Sequence, residues 1–528
     1  MESKLPPTTW DGVERRKVRI AMPYVDLLRQ EINLQLAQNL PEIQARRLSA
    51  VLLEDRGETW LVGLADPDNL RAQDAISSLL NRPIDVVRVD KDALQLTLDR
   101  VYGKTEQLDE FAREVERDID RDNGIVDLNQ IGASIDDVDA PVVKLLQTIF
   151  DHAAQVRASD IHIEPQEKKL VVRFRIDGVL HVQTEADLKI ASPLVVRLKL
   201  MAGLDIAEKR LPQDGRIAVR SGLHKLDVRV STLPTLYGES VVLRVLMQNQ
   251  GLVQLKETGM HADVFNLFEH AIKSPHGIVL VTGPTGSGKT TTLYGALQML
   301  NQPDVKILTC EDPVEYRMQG IVQVQVNEKI GLNFARVLRS FLRQDPDVIF
   351  IGEIRDQETA QIATRAAMTG HLVLSTLHTN DAVTTPGRLI DMGIPPYMIA
   401  STLLAVLSQR LLRVICTYCK EPYTPNEDES AWLKHYIKEP IAPGSLAHGK
   451  GCSRCNGFGY SGRTGIHEIL EMTPPLARAL RSGELSEFER TANEFMGQTT
   501  IEHRALMLML AGETTVAEAM KVVSWAEE

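Results

Sequence analysis

The sequence predicts an α/β protein in three parts. A phosphate-loop nucleotide domain fills the C-terminal half, an α+β domain with a mostly antiparallel sheet precedes it, and a small α/β domain comes first. Three observations predict this. Gly283-Pro284-Thr285-Gly286-Ser287-Gly288-Lys289-Thr290 follows the apolar run Ile278–Val281 and precedes helical periodicity from Thr291 to Leu300. That is the strand, G-x-x-x-x-G-K-[ST] loop and helix order of a phosphate loop. Two further apolar runs, Val348–Ile351 and Leu372–Leu374, stop beside acids or histidines, as strands do when a site gathers at their carboxyl ends. Finally, "DIHIEP", "LVVRFRIDG", "KLDVRVSTLP" and "ESVVLRVL" follow one another between Asp160 and Leu246 with strand-like composition.

Taken in order, residues 1–20 are a polar lead read as flexible. Residues 21–103 form the N-terminal α/β domain, a regulatory or docking unit. Strands are expected in Thr59–Pro67 and Ile84–Asp90, with a helix over Asn69–Leu80 that Asp66 or Asp68 would cap. Residues 104–139 are rich in acids without a steady apolar face, and read as a connector. The second domain spans 140–250 and opens with a helix over Pro141–Ala154, whose apolar positions are Val142, Val143, Leu145, Leu146, Ile149 and Phe150. The nucleotide domain spans 251–528, with a cysteine-bearing loop at about 413–470 and helices after it.

Composition sets the class. Hydrophobic content of 43% and charged content of 25% over 528 residues are ordinary for a globular protein. A formal net charge of −12 argues against a primary nucleic-acid binder. No apolar run reaches the ~18 residues that span a bilayer, and the opening Met1-Glu-Ser-Lys-Leu-Pro-Pro lacks the apolar core of a signal peptide. The expectation is a cytoplasmic protein that docks on a membrane only through partners.

Four of the five cysteines form two C-x-x-C units, Cys416/Cys419 and Cys452/Cys455. In a reducing compartment such pairs favour metal over disulfide, and tetrahedral Zn²⁺ is the usual occupant. The intervening residues 420–451 make this a zinc loop with a long insert. Cys310 stands alone beside Glu311 and reads as a small buried residue.

The phosphate loop supplies its own chemistry. Its glycines let successive N–H groups turn inward on an anion. Lys289 offers charge to the β/γ-phosphates of ATP, Thr290 a hydroxyl to Mg²⁺, and the helix beginning near Thr291 its N-terminus. Hydrolysis also needs a carboxylate and positive charge. Glu353 sits just past the strand Val348–Ile351, although Gly352 occupies the place where an aspartate often stands. Glu311, Asp312 and Glu315 follow the expected strand Val305–Leu308. His371 precedes, and His378 follows, the strand beginning at Leu372, and His378 could bond a γ-phosphate. Arg336, Arg339 and Arg343 share one helix face, Arg355 follows Glu353, and Arg216 and Arg229 lie in the second domain. Two such arginine groups suit a site completed by a neighbouring domain or subunit.

At this point the order of motifs is recognisable. "ASDIHIEP", "RFRIDG", "RLPQDGRI", "GPTGSGKTTTLY", "EDPVEY", "LRQDPDVIFIGEIRD", "TGHLVLSTLHTNDA" and the cysteine pairs leading to "GRTGIHEIL" resemble the secretion ATPases of type II secretion and type IV pilus assembly. The resemblance covers roughly residue 141 to the end. It implies a PAS-like second domain, a RecA-like ATPase domain and a hexameric ring that binds ATP between the two domains. It also implies Lys289 and Thr290 on phosphate and Mg²⁺, Glu311 in an acidic box, Glu353 as catalytic glutamate, and His371 with His378 as a histidine box. Arg216, Arg229, Arg339, Arg343 and Arg355 match arginines expected near the phosphates. The cysteine pairs favour the assembly branch, and the expected partners are an inner-membrane platform protein and its cytoplasmic docking protein. Some relatives bind cyclic di-GMP through a repeat beginning Arg-Leu-Gly; "KVRIAMPYVDLLRQEINLQL" departs from it, so the sequence does not support a claim of cyclic di-GMP sensing. The rival expectations are a retraction motor and, from another class, a nucleic-acid-translocating ATPase.

Overall fold

The computed structural model describes residues 23–27, 32–37, 39–101, 140–221, 224–247, 253–438, 441, 444–497 and 499–523. The lead 1–20 and the connector 104–139 therefore lie outside the described residues. Contacts divide the chain into two compact units, Met1–Gly103 and Lys104–Glu528.

In the first unit, β1 (Ala50–Asp55), β2 (Trp60–Leu64) and β3 (Ile84–Arg88) form a sheet in the order β1-β2-β3. β1 runs antiparallel and β3 parallel to β2. A parallel pair needs a crossover, and the helix Leu70–Leu80 supplies it. Its cap is Asn69, whose side chain accepts from Ala72 N at 3.2 Å. Asp66 instead accepts from Asp68 N in the preceding turn, which corrects the expected cap. Leu52, Val62, Leu64, Ile76 and Leu94 share the core.

The second unit begins with the α+β domain. Its strands are β4 (Asp160–Pro165), β5 (Lys169–Ile176), β6 (Val179–Asp187), β7 (Gln213–Ser221), β8 (His224–Thr235) and β9 (Gly238–Met247). They form an antiparallel six-stranded sheet in the order β6-β5-β4-β9-β8-β7. The helices Ala140–Gln155 and Ala191–Met201 cover one face through Leu146, Ile149, Phe150, Leu194 and Leu198.

The ATPase domain is a seven-stranded sheet of β10 (Gly277–Thr282), β11 (Ile307–Glu311), β12 (Val322–Gln325), β13 (Val348–Ile351), β14 (Leu372–Leu377), β15 (Leu403–Ile415) and β18 (Tyr460–Glu471). The order is β12-β11-β13-β14-β10-β15-β18, parallel except for β18. The interior strand β10 explains its own sequence. Ile278 and Leu280 enter one core while Val279 and Val281 enter the other. Burial on both faces demands an unbroken apolar run rather than alternation. Each such side chain contributes about 1.5–3 kcal/mol on leaving water. Between β15 and β18 lies the cysteine loop, with the short pair β16 (Lys420–Pro422) and β17 (Ala447–Gly449) and the helix Glu427–Tyr436. Four helices from Pro474 to Val523 follow. Among the described residues, no helix is long and apolar enough to cross a membrane.

Candidate active site: a phosphate loop, strand-end acids and a cysteine cluster

The phosphate loop leaves the carboxyl end of β10 and enters the helix Lys289–Leu300 two residues earlier than the periodicity suggested. Gly283, Gly286 and Gly288 have φ of +136°, +81° and +90°. A Cβ on Gly283 would stand 2.5 Å from the carbonyl oxygen of Gln409, so neither the conformation nor the space admits a side chain. Lys289 is buried, with Nζ donating to the carbonyls of Gly283 (2.8 Å) and Pro284 (3.1 Å). Burial lowers its pKa to about 8, Glu353 opposes that shift, and nearby Arg410 adds to it. The hydroxyl of Ser287 is buried with no hydrogen-bond partner among the described residues. A desolvated cation, an orphaned buried hydroxyl and a helix N-terminus together fit a polyanion such as the phosphates of ATP. Thr290, at the same helix start, has the hydroxyl for Mg²⁺.

The neighbouring strand ends bring charge to this edge. Glu353 follows β13, and its Oε2 lies 3.4 Å from Nε2 of His378, which follows β14. Arg355 pairs with the same carboxylate and lies 3.9 Å from Asp312. Parallel pairing sets Thr282, Ile351 and Leu377 near one level of the sheet. The hydroxyls of Ser375 and Thr376 donate to the carbonyls of Ile351 (2.8 Å) and Gly352 (2.7 Å), fixing the backbone that carries Glu353.

Other expected residues lie elsewhere. β11 ends at Glu311 itself, so this carboxylate sits within the sheet. It accepts from Tyr294 (2.5 Å), Thr309 (2.7 Å) and Gln323 (3.3 Å). Burial raises its pKa against those three bonds. Glu311 thus ties the phosphate-loop helix to edge strand β12, and Asp312 is the acid that approaches Arg355. His371 precedes β14 and is at the opposite, amino edge: its carbonyl accepts from Gly277 N at the start of β10. Its Nδ1 lies 2.9 Å from the carbonyl of Ala366. The two histidines of the expected box are separated by the length of a strand. A strand of six residues covers roughly 20 Å.

The arginines divide similarly. Arg229 makes a two-pronged contact with Glu315 (2.7 and 3.3 Å) and joins the α+β domain to the loop after β11. Arg216 is exposed and directly opposite Arg229 on β7. Arg339, on the helix Phe334–Phe341, pairs with Glu358. Arg343 lies beyond that helix and donates to the carbonyl of Arg339 at 2.6 Å. Arg336 bonds Gly331.

The cysteines converge. Sγ–Sγ distances are 3.8 Å for Cys416–Cys452, Cys419–Cys455 and Cys452–Cys455, and all four sulfurs lie within 4.8 Å of one another. A disulfide needs about 2.05 Å, whereas four thiolates about 2.3 Å from one Zn²⁺ stand about 3.8 Å apart. The N–H groups of Cys452 and Gly459 donate to Sγ of Cys455 at 3.2 Å, as suits a thiolate. Arg454 stacks on Tyr418 and joins the two knuckles. Where the loop closes on itself, a Cβ on Gly449 would stand 1.9 Å from the carbonyl oxygen of Gly459.

Residues 136–521 match the family model for type II/IV secretion system proteins. The chain belongs to that family. A second family model, the MshEN domain, matches residues 20–108. This secretion ATPase is 44% identical over 499 residues to type II secretion system protein E of Dickeya dadantii, covering 92% of this chain and 97% of that protein. It is 42% identical over 504 residues to the type IV pilus assembly ATPase PilB of Myxococcus xanthus, covering 94% and 88%. The Legionella pneumophila ATPase DotB shares the fold, with a TM-score of 0.53 at 21% identity over 72% of this chain and 96% of that one. The expectation about cyclic di-GMP rested on residues 17–44, of which 17–22, 28–31 and 38 lie outside the described residues.

Two features escaped sequence reasoning. Gln409 and Arg410, buried on β15, back the phosphate loop. Glu468, buried on β18, accepts from Ala382 N (2.8 Å) and Ile501 N (3.0 Å), and burial raises its pKa to about 7. The only signal was charge inside otherwise apolar strands, "AVLSQRLL" and "GIHEIL".

Proposed function

We propose that this secretion ATPase works as a homo-hexamer at the cytoplasmic face of the inner membrane. There it powers assembly of a type IV pilus or a type II secretion pseudopilus. The observation that carries this reading is the meeting of Lys289, Glu353 and His378 at one sheet edge in a chain that also gathers four cysteine sulfurs.

Gly283 to Thr291 would hold the phosphates of ATP, with Thr290 toward Mg²⁺, and Cys416, Cys419, Cys452 and Cys455 would hold Zn²⁺. Bound Mg²⁺ neutralises charge that develops between the β- and γ-phosphates. Glu353 orients and deprotonates water for attack on the γ-phosphorus, and the bond to the β–γ bridging oxygen breaks to give ADP and phosphate. His378, bonded to that carboxylate, reports whether the γ-phosphate is present. Arg355 balances charge beside Glu353. Arg216 and Arg229 from the α+β domain close on the nucleotide as charge accumulates. Arg339, Arg343 and His371 make no hydrogen bond or ion pair with the phosphate loop among the described residues and would act at a junction with another copy. The resulting motion drives an inner-membrane platform protein through its cytoplasmic docking protein.

The test is hydrolysis by purified full-length protein. Lys289→Ala should abolish phosphate release while circular dichroism and oligomeric state stay as in the parent; parental turnover in that variant would refute the site. The cysteine cluster favours assembly over retraction, and metal analysis returning one zinc per chain is the expected result. DNA should leave the turnover rate unchanged.

A further inference from the structure

We propose that Gln409 and Arg410, adjacent on β15, are positioning residues for hydrolysis: Gln409 locks the phosphate loop and Arg410 locks the loop that carries His378. The inference rests on the ATPase reading of the same site and adds the parts that hold it in register.

β15 pairs with β10 up to Thr282 opposite Ser408, so Gln409 and Arg410 lie one and two residues beyond, beneath the phosphate loop. Gln409 is 1% exposed and uses both ends of its amide. Nε2 donates to the carbonyl of Ser287 at 2.6 Å, and Oε1 accepts from the hydroxyl of Thr292 at 2.8 Å. One rigid group thus joins the apex of the loop to the first turn of its helix. A Cβ on Gly288 would stand 3.0 Å from Nε2, so the contact is close.

Arg410 reaches the other loop. After β14 the chain crosses the end of β10, and the carbonyl of Asn380 accepts from Nη2 of Arg410 at 2.5 Å. Nη1 returns to the carbonyl of Gln409 at 3.2 Å. Two residues on, Ala382 N donates to Glu468, whose strand position faces Ser408. The His378 loop is therefore held by a donor and an acceptor from two adjacent strands. Arg410 is a buried cation with no carboxylate within salt-bridge distance among the described residues; burial lowers its pKa while Glu468, Asp381 and Glu502 oppose that from farther away. A core does not retain such a group for packing alone, since an apolar residue of equal volume avoids the desolvation cost. Neither residue contacts a described catalytic atom, so each acts through the loop it holds.

The division of labour predicts opposite kinetic signatures. Gln409 governs the loop that grips ATP in ground and transition states alike, so its loss should weaken binding. Arg410 governs the placement of His378 against Glu353, which matters as the γ-phosphate departs. The experiment measures steady-state MgATP hydrolysis, MgADP affinity and thermal unfolding on full-length protein carrying Gln409→Met, Arg410→Met or Arg410→Lys. Gln409→Met should raise KM and the MgADP Kd about tenfold with kcat changed less than about threefold. Arg410→Met should lower kcat about 100-fold, the scale of an ångström of misplacement, with KM nearly unchanged. Arg410→Lys, which keeps a donor for Asn380, should recover most of that loss. Parental kinetics in both methionine variants, failure of lysine to rescue, or losses that simply track the fall in Tm overturn the proposal. An inactive parent protein would instead refute the ATPase reading itself.

Discussion

The two edges of the ATPase sheet use the same residue types for opposite ends. At the carboxyl edge, Lys289 is desolvated, the Ser287 hydroxyl has no partner among the described residues, and His378 stands a long 3.4 Å from Glu353. At the amino edge the residues named here are bonded within the fold. Asp347 accepts from Lys306 N at 2.7 Å, and His371 is bonded to Ala366. A desolvated lysine and an unpartnered hydroxyl on one glycine-lined loop, rather than charge alone, mark the edge that meets a ligand. Folding tolerates that deficit because the central strands bury apolar side chains on both faces of the sheet.

The sharpest way to break this contrast is Glu353→Gln. The amide keeps shape and burial but cannot take a proton, so kcat should fall roughly 100- to 1,000-fold with unfolding temperature nearly unchanged. Phosphate release under saturating MgATP measures it; a loss below tenfold would move catalysis away from this carboxylate.

Next comes the pair of histidines. His378→Ala should cost about 10- to 100-fold in kcat, the range for one positioned group. His371→Ala, measured at concentrations too low for copies to associate, should change kcat by less than about threefold. If His371→Ala is as damaging there as His378→Ala, the amino edge is not the structural edge described.

The cysteine cluster is a third region, where four sulfurs within 4.8 Å of one another fit a single metal ion. Cys452→Ser should abolish zinc retention and lower the stability of the C-terminal segment by several kcal/mol, because ligand binding to such sites is itself folding free energy. Plasma emission spectroscopy and the unfolding midpoint read the two effects. Intact zinc content in that variant would remove Cys452 from the ligand set.

Much of this was legible in the sequence where one local rule acts alone. The phosphate loop declares itself because glycine, lysine and threonine each have a separate job. β13 and β4 were read to the residue because an apolar run or alternating pattern fixed both ends. What stayed hidden depended on neighbours distant in the chain. β6 and β7 are edge strands with mixed exposure and no continuous apolar face to betray them. The burial of Glu311 is decided by Tyr294 and Gln323, and the separation of His371 from His378 by strand length. Arg410 looks like a surface arginine until the fold brings the carbonyl of Asn380 to it from the loop after β14.

The smallest predicted effect is also the most specific to the carboxyl edge. Lys289 in the ligand-free protein titrates near pH 8, well below an ordinary lysine. Its folded pKa is depressed, so the unfolded chain binds the proton more tightly. The resulting penalty is therefore fully present below pH 8 and relieved as pH rises toward the unfolded value of about 10.4. The negative phosphates of ATP favour the charged lysine and return its pKa toward that value. Binding MgATP at pH 8 should accordingly draw in about half a proton per site, the fraction missing when pH equals pKa. Calorimetry in buffers of different ionisation enthalpy counts that proton, and Lys289→Met, wherever residual binding can be measured, should abolish the buffer dependence. Uptake that survives the substitution would assign the proton to another group. The absence of uptake in the parent would mean that the lysine is already charged before the nucleotide arrives, leaving no contrast in desolvation between the two edges.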